Sequence, residues 1–188
     1  MEKYLQKLVS FKTVDGNKSE FDACLNWLEE FFSDRFLITH RLDSNGYQSL
    51  IATTKATKKP KVLLQAHLDV VPGHDDMFSL KKDGDKVIGR GVFDMKFAIA
   101  VFMQVVDELQ NNLSNYDFGI MITTDEEIGG LDGVKHLLDE GWGAEVCILP
   151  DGGDNWRLEE SSKGFWLIEA TAHGKAAHGS RPWEGENA

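Results

Sequence analysis

Three short apolar runs, each closing on a histidine or a carboxylate, constrain this chain more than any other feature. KVLLQAHLD ends in His67 and Asp69, FGIMITTDEE in Asp125, Glu126 and Glu127, and EVCILPD in Asp151. Runs of this length, rich in Val, Ile and Leu, read as buried strands. Helical patterns lie between them. Lys96–Leu109 is apolar nearly all round, and GGLDGVKHLLDEG is amphipathic and closes on Gly141. Such alternation predicts an α/β fold, a three-layer sandwich with helices on both faces of a largely parallel central sheet.

The N-terminal stretch, to about Phe36, reads as helical. Phe21, Cys24, Leu25, Leu28, Phe31 and Phe32 recur at three- and four-residue steps, with Ser19 as a candidate N-cap. Strand-like runs at Phe36–His40 and Leu50–Thr54 flank the turn signal Asp43-Ser44-Asn45-Gly46, and Lys55–Pro60 is a basic loop. After Lys163 the segment GFWLIEATAHGKAAHGS alternates like a half-exposed antiparallel strand. The expected organisation is therefore a metal-binding catalytic part over residues 1–162 and the start of a further α+β domain over 163–188.

Composition removes several classes of function. With 31 acidic against 20 basic side chains the net charge is −11, so there is no basic stripe for phosphate and neither nucleic acid nor an anionic membrane is an expected partner. No apolar run approaches the roughly 20 residues that span a bilayer, and MEKYLQKLVSF lacks the pattern of a signal peptide. Cys24 and Cys147 both sit in apolar settings and read as buried thiols of a reducing, cytoplasmic compartment.

In an open α/β sheet, ligands bind beyond the carboxyl ends of the strands. His67, Asp69, Glu126, Glu127 and Asp151 all fall there, and Asp94 lies in the glycine-rich stretch GRGVFD just before the buried helix. Each has an ordinary alternative. Asp94 can cap a helix, the two glutamates can favour a helix start, Asp151-Gly152-Gly153 can be a turn, and His67 can be a hydrogen-bonded core residue. Together, five carboxylates and a histidine at one edge would repel strongly without a cation, which favours a metal site. His67 and Asp69 share a face of their strand, so Asp69 can orient the imidazole from behind. Glu126 and Glu127 are adjacent and must diverge, which suits one to the metal and the other to proton transfer. The donor set is compatible with Zn, Mn or Co.

HLDVVPG, GRGVFDMK, TTDEEIGG, LPDGG and GKAAHGSRPWEGENA, in that order from about Leu63 to Ala188, resemble the acetylornithine deacetylase, succinyl-diaminopimelate desuccinylase and carboxypeptidase G family of dinuclear zinc hydrolases. The resemblance implies a zinc-exopeptidase-like fold followed by a lid domain. It implies two divalent cations, Zn or alternatively Co or Mn, with His67 and Asp151 on one, Glu127 on the other and Asp94 bridging. It gives Asp69 the place behind the histidine, Glu126 the general base and His178 the lid histidine that holds the substrate carbonyl. It also implies a cis peptide after Asp94. The substrate would be a small peptide or an N-acyl amino acid, cleaved at an amide by an activated water, with a homodimer as the family's usual assembly. In the family a returning stretch beyond the lid supplies the last histidine of the Glu127 metal. On that comparison the second site is incomplete within residues 1–188. The alternatives are then a catalytically impaired metal-binding fragment and a related two-metal aminopeptidase.

Overall fold

The computed structural model describes residues 1–152, 157–161, 163–164 and 168–188. The chain divides into two compact units, Met1–Trp156 and Arg157–Ala188. In the first, α1 (Glu2–Ser10) and α2 (Lys18–Ser33) precede the hairpin β1 (Ile38–Ser44) and β2 (Tyr47–Thr53). Then come β3 (Val62–His67), a small hairpin β4 (Lys81–Asp83) and β5 (Lys86–Ile88), α3 (Phe97–Leu109), β6 (Phe118–Thr123), α4 (His136–Asp139) and β7 (Val146–Ile148).

The main sheet has the order β1-β2-β6-β3-β7. It is mixed. β3 runs parallel to both β6 and β7, whereas β2 is antiparallel to β1 and β6. The parallel part is the part that carries the acidic strand ends, and the β1–β2 hairpin extends it on the β6 side. Asn45 and Gly46 close that hairpin with φ of 50° and 90°, the doubly left-handed conformation that a two-residue turn needs and that Asn-Gly supplies.

Period-two alternation divides the sheet's side chains between two apolar clusters. Leu50, Ala52, Ile120 and Ile122 pack with α1, α2 and α3, among them Leu8, Leu25, Leu28, Phe32, Ile99 and Met103. Ile51, Leu63 and Met121 face the other way and pack with Leu137 and Trp142. Helices thus cover both faces of the sheet, and the structural relatives described below share this fold.

Some elements differ from the sequence expectation at their ends. The N-terminal helical stretch breaks at Phe11, and the cap of α2 is Asn17, two residues ahead of Ser19. β1 starts and ends later than Phe36–His40 because Phe36 has a φ of 64° and cannot begin a strand. Cys147 is exposed rather than buried: among the described residues β7 is a short strand at the edge of the main sheet, paired with β3, and its side chains are exposed. Of the strand expected after Lys163, residues 165–167 lie outside the described residues. Within the second unit the described pairing is the antiparallel bridge between Lys175 and Glu186, next to the helical turn Pro182–Glu184.

The two thiols should therefore behave differently. Burial pushes Cys24 up to about 12, and the thiolate is the reactive form. Titration of native protein with a thiol-reactive dye should read Cys147 alone, and a second thiol only in denaturant. Two fast-reacting thiols in native protein would contradict the packing of α2.

Candidate metal centre

β3 delivers His67 to the centre of the sheet's carboxyl edge, directly opposite Thr123 at the end of β6. The chain after β6 therefore starts its loop beside His67, whereas β7 ends opposite Leu64, and the chain that follows it leads to Asp151. The imidazole is fully buried, whereas the side chains of Asp94, Glu126 and Asp151 are 59%, 48% and 31% exposed. One fixed nitrogen thus faces carboxylates that remain open to solvent.

The geometry around that nitrogen is compact. His67 Nε2 stands 2.9 Å from Asp94 Oδ1, 3.8 Å from Glu126 Oε2 and 3.9 Å from Asp151 Oδ2. Donor atoms of His67, Glu126 and Asp151 all lie within 4.8 Å of one another, a spacing that can hold a cation. On the ring's other side Nδ1 donates to the backbone carbonyl of Asp69 at 2.9 Å. This orients the ring with Nε2 outward.

Asp69 lies behind the histidine, but its backbone makes the hydrogen bond. Its carboxylate Oδ1, buried and without a hydrogen-bond partner among the described residues, is 3.4 Å from Nδ1. Its Oδ2 accepts the backbone N–H of Glu127 at 2.8 Å. Asp69 thereby joins the end of β3 to the glutamate loop. Glu127 is half-buried and sits within electrostatic reach of Asp94 and His67, outside the trio formed by His67, Glu126 and Asp151. The Asp94–Met95 peptide is cis.

Electrostatics record how many negative groups share the space. Burial opposes charge on His67, yet Asp69, Glu126 and Asp151 outweigh it and push the imidazole up to about 9. Burial, followed by neighbouring carboxylates, raises both Glu126 and Glu127 above the ordinary glutamate range. A divalent cation among these oxygens would supply the positive charge that the histidine proton otherwise provides. One imidazole nitrogen and several carboxylate oxygens suit a borderline or hard divalent ion. The residues present fit such an ion.

Two supports have a weaker sequence signal than the ligands. Asp125 is buried, and its Oδ2 accepts the N–H groups of Asp132 at 2.8 Å and Gly133 at 2.9 Å. It caps the helical segment that begins at Leu131 and so fixes the loop bearing Glu126 and Glu127. Lys96 is fully buried, two residues after Asp94, and donates to the carbonyls of Leu8 at 3.0 Å and Phe11 at 2.8 Å. Burial pushes its ammonium down to about 8. His178 belongs to the second unit, where its Nδ1 accepts from the Ser180 hydroxyl at 2.8 Å and the Ser180 N–H at 3.3 Å, leaving the ring proton on Nε2.

Comparison with known proteins agrees with this chemistry. The model of peptidase family M20/M25/M40 matches residues 63–169, more than half of the chain and every residue just described around His67. The chain belongs to that family, a family of zinc hydrolases. Succinyl-diaminopimelate desuccinylase of Corynebacterium glutamicum is 32% identical over 145 residues, 74% of this chain and 39% of that protein. A probable succinyl-diaminopimelate desuccinylase of Staphylococcus aureus is 31% identical across 98% of this chain and 46% of its own length. The chain thus spans less than half the length of these relatives. Human carnosine dipeptidase 1 superposes with a TM-score of 0.70 at 16% identity, over 80% of this chain and 38% of its own. An M20 family metallo-carboxypeptidase from Sulfolobus solfataricus gives 0.65 at 17%, over 81% and 37%. At these identities the structural likeness is one of fold. Among the described residues no helix is long and apolar enough to cross a membrane.

The packing at Asp125 gives a direct test of the loop. A Cβ on Gly133 would stand 2.1 Å from Asp125 Oδ1 and 2.9 Å from Thr123 Cβ. Gly133→Ala should therefore cost about 1–3 kcal/mol, read as a lower urea midpoint with an unchanged slope. An unaltered midpoint would mean that the carboxylate can move aside freely.

Proposed function

We propose that this chain forms the metal-binding catalytic part of an amidohydrolase that cleaves an amide bond in a small peptide or an N-acyl amino acid. The observation that carries the reading is the set of three carboxylate oxygens within 4 Å of one buried, outward-facing histidine nitrogen, in a chain of the M20 family. The desuccinylase relatives supply the N-acyl class by their names, and the carnosine dipeptidase fold neighbour the peptide class.

His67, Asp94 and Asp151 would hold one divalent cation, with Asp94 shared with a second ion on Glu127; zinc is the family's metal, and cobalt or manganese suits the same donors. When bound, such ions supply Lewis-acid polarisation of the scissile carbonyl and acidify water. The chain's own residues do the rest. Asp69 holds the His67 ring through its backbone carbonyl and the glutamate loop through its carboxylate. Glu126, half-exposed and raised above the ordinary range by burial, takes the proton of the attacking water and returns it to the leaving amine. His178, with its proton on Nε2, donates to the substrate carbonyl oxygen, a role that rests on the motif AAHGSRP. Residues 1–162 would form the metal-binding part and 163–188 the beginning of the lid.

A second assignment of the pair has its own support, because Glu126 rather than Glu127 groups with His67 and Asp151. Glu126→Gln separates them. The amide keeps the shape but cannot take a proton, so hydrolysis of an N-succinyl or dipeptide substrate should fall about 10²–10⁴-fold while zinc content stays at the native level. The assay uses a chain extended to the length of the relatives, and zinc content is read on the same preparation. Loss of zinc together with activity would make Glu126 a ligand and Glu127 the base.

A further inference from the structure

The end of α1 and the residues that follow it lie outside the region matched by the family model, yet they are bonded to two of the ligand-bearing stretches. Thr13 is fully buried, and its hydroxyl donates to the Leu68 carbonyl at 2.7 Å. The Thr13 carbonyl in turn accepts the N–H of Val70 at 2.9 Å. These two bonds grip the chain on either side of Asp69, the residue whose carbonyl fixes the His67 ring. On the other flank, the Lys96 ammonium donates to the carbonyls of Leu8 and Phe11. Lys96 also holds its own loop closed, its N–H donating to Gly91 across Asp94 at 2.7 Å. The segment from Leu8 to Thr13 is thus a strap with one tie to the His67–Asp69 strand end and one to the Asp94 loop.

The ties are of a kind that transmits position. Both are buried, and both use backbone carbonyls as acceptors. A buried carbonyl left without its donor is costly, so strap and ligand segments hold their places together. The metal ligands are otherwise far apart in sequence, and the strap touches two of the stretches that must meet for His67 and Asp94 to share one ion.

We propose that Thr13 and Lys96 are positioning residues through which the strap Leu8–Thr13 and the divalent-cation site are coupled, so that cation binding tightens the strap and freeing the strap weakens cation binding. The inference rests on the metal reading of the His67 site. Because linkage is reciprocal, each side of the coupling can be measured from the other.

Hydrogen exchange, followed by mass spectrometry on peptides covering residues 1–17, tests the first direction. Saturating zinc should slow exchange at the amides of Leu8–Thr13 by about fivefold or more. Zinc titration of folded variants tests the second. Thr13→Val keeps the β-branched shape but removes the donor, and should weaken zinc binding about 10–100-fold and abolish the zinc-dependent protection. Thr13→Ser restores the hydroxyl and should restore both. Lys96→Met should act as Thr13→Val does; if it fails to fold, the threonine pair carries the test alone. Native protein that binds zinc with no change of exchange in the strap would overturn the coupling, as would native zinc affinity in Thr13→Val. Native protein that binds neither zinc, cobalt nor manganese would instead overturn the metal reading, and the coupling with it.

Discussion

Carboxylates repel one another, and the carboxyl edge of this sheet gathers them around one imidazole nitrogen. Asp94, Glu126 and Asp151 each place an oxygen within 4 Å of His67 Nε2. Coulomb energies at such separations reach several kcal/mol per pair once water is partly excluded, and folding alone gains nothing from assembling them. Without a cation the surrounding carboxylates favour a second proton on the imidazole and push it up to about 9 against the effect of burial. The arrangement makes physical sense as the binding site of a divalent ion, and much of the surrounding structure serves to hold like charges close before that ion arrives.

The supports divide the labour by burial. His67 is wholly enclosed, and its ring is pinned from behind by the Asp69 carbonyl. Asp125 pins the glutamate loop from below by accepting two backbone N–H groups. The carboxylates themselves are left partly open. Fixed donors with solvent access are what an ion exchanging with water, and a substrate reaching it, both require. Rigidity comes from the strands and their ties, and access comes from the loops.

Much of this was legible in the sequence, and the parts that were not share a cause. The three parallel strands and α3 announce themselves by dense apolar runs, and Glu126 and Asp151 after two of the strands and Asp94 before α3 meet at His67. The Asn45-Gly46 turn was legible because it needs two positive φ values that few residue pairs supply. Element ends were less so: Phe36 sits at a φ of 64° in a region where bulky residues seldom lie, and nothing local marks it. Cys147 reads as core because its neighbours are apolar; its exposure follows from the place of β7 at one side of the sheet, a property of topology and not of the run. The backbone role of Asp69 was hidden for a related reason. Sequence names side chains, so a contact made by a carbonyl is invisible to it. The ties of Lys96 were hidden because a lysine's charge ordinarily stays in water, and its two carbonyl acceptors lie 85 and 88 residues away in sequence.

The hidden contacts also set how the N-terminal segment is registered on the strand end that carries His67. α1 packs on α3 and α2 on the β1–β2 hairpin, so apolar burial alone would keep them attached. Burial is non-directional, however, and tolerates small slides of a helix over a sheet. Hydrogen bonds do not tolerate such slides, because they weaken steeply as distance and angle drift. Thr13 and Lys96 therefore add to the apolar packing something it lacks, a fixed register between the N-terminal segment and the strand end at His67–Val70. A site in which like-charged groups must stay within 4 Å of one nitrogen needs register more than it needs additional buried area. The polar ties across Leu8–Thr13 are placed where that need is greatest.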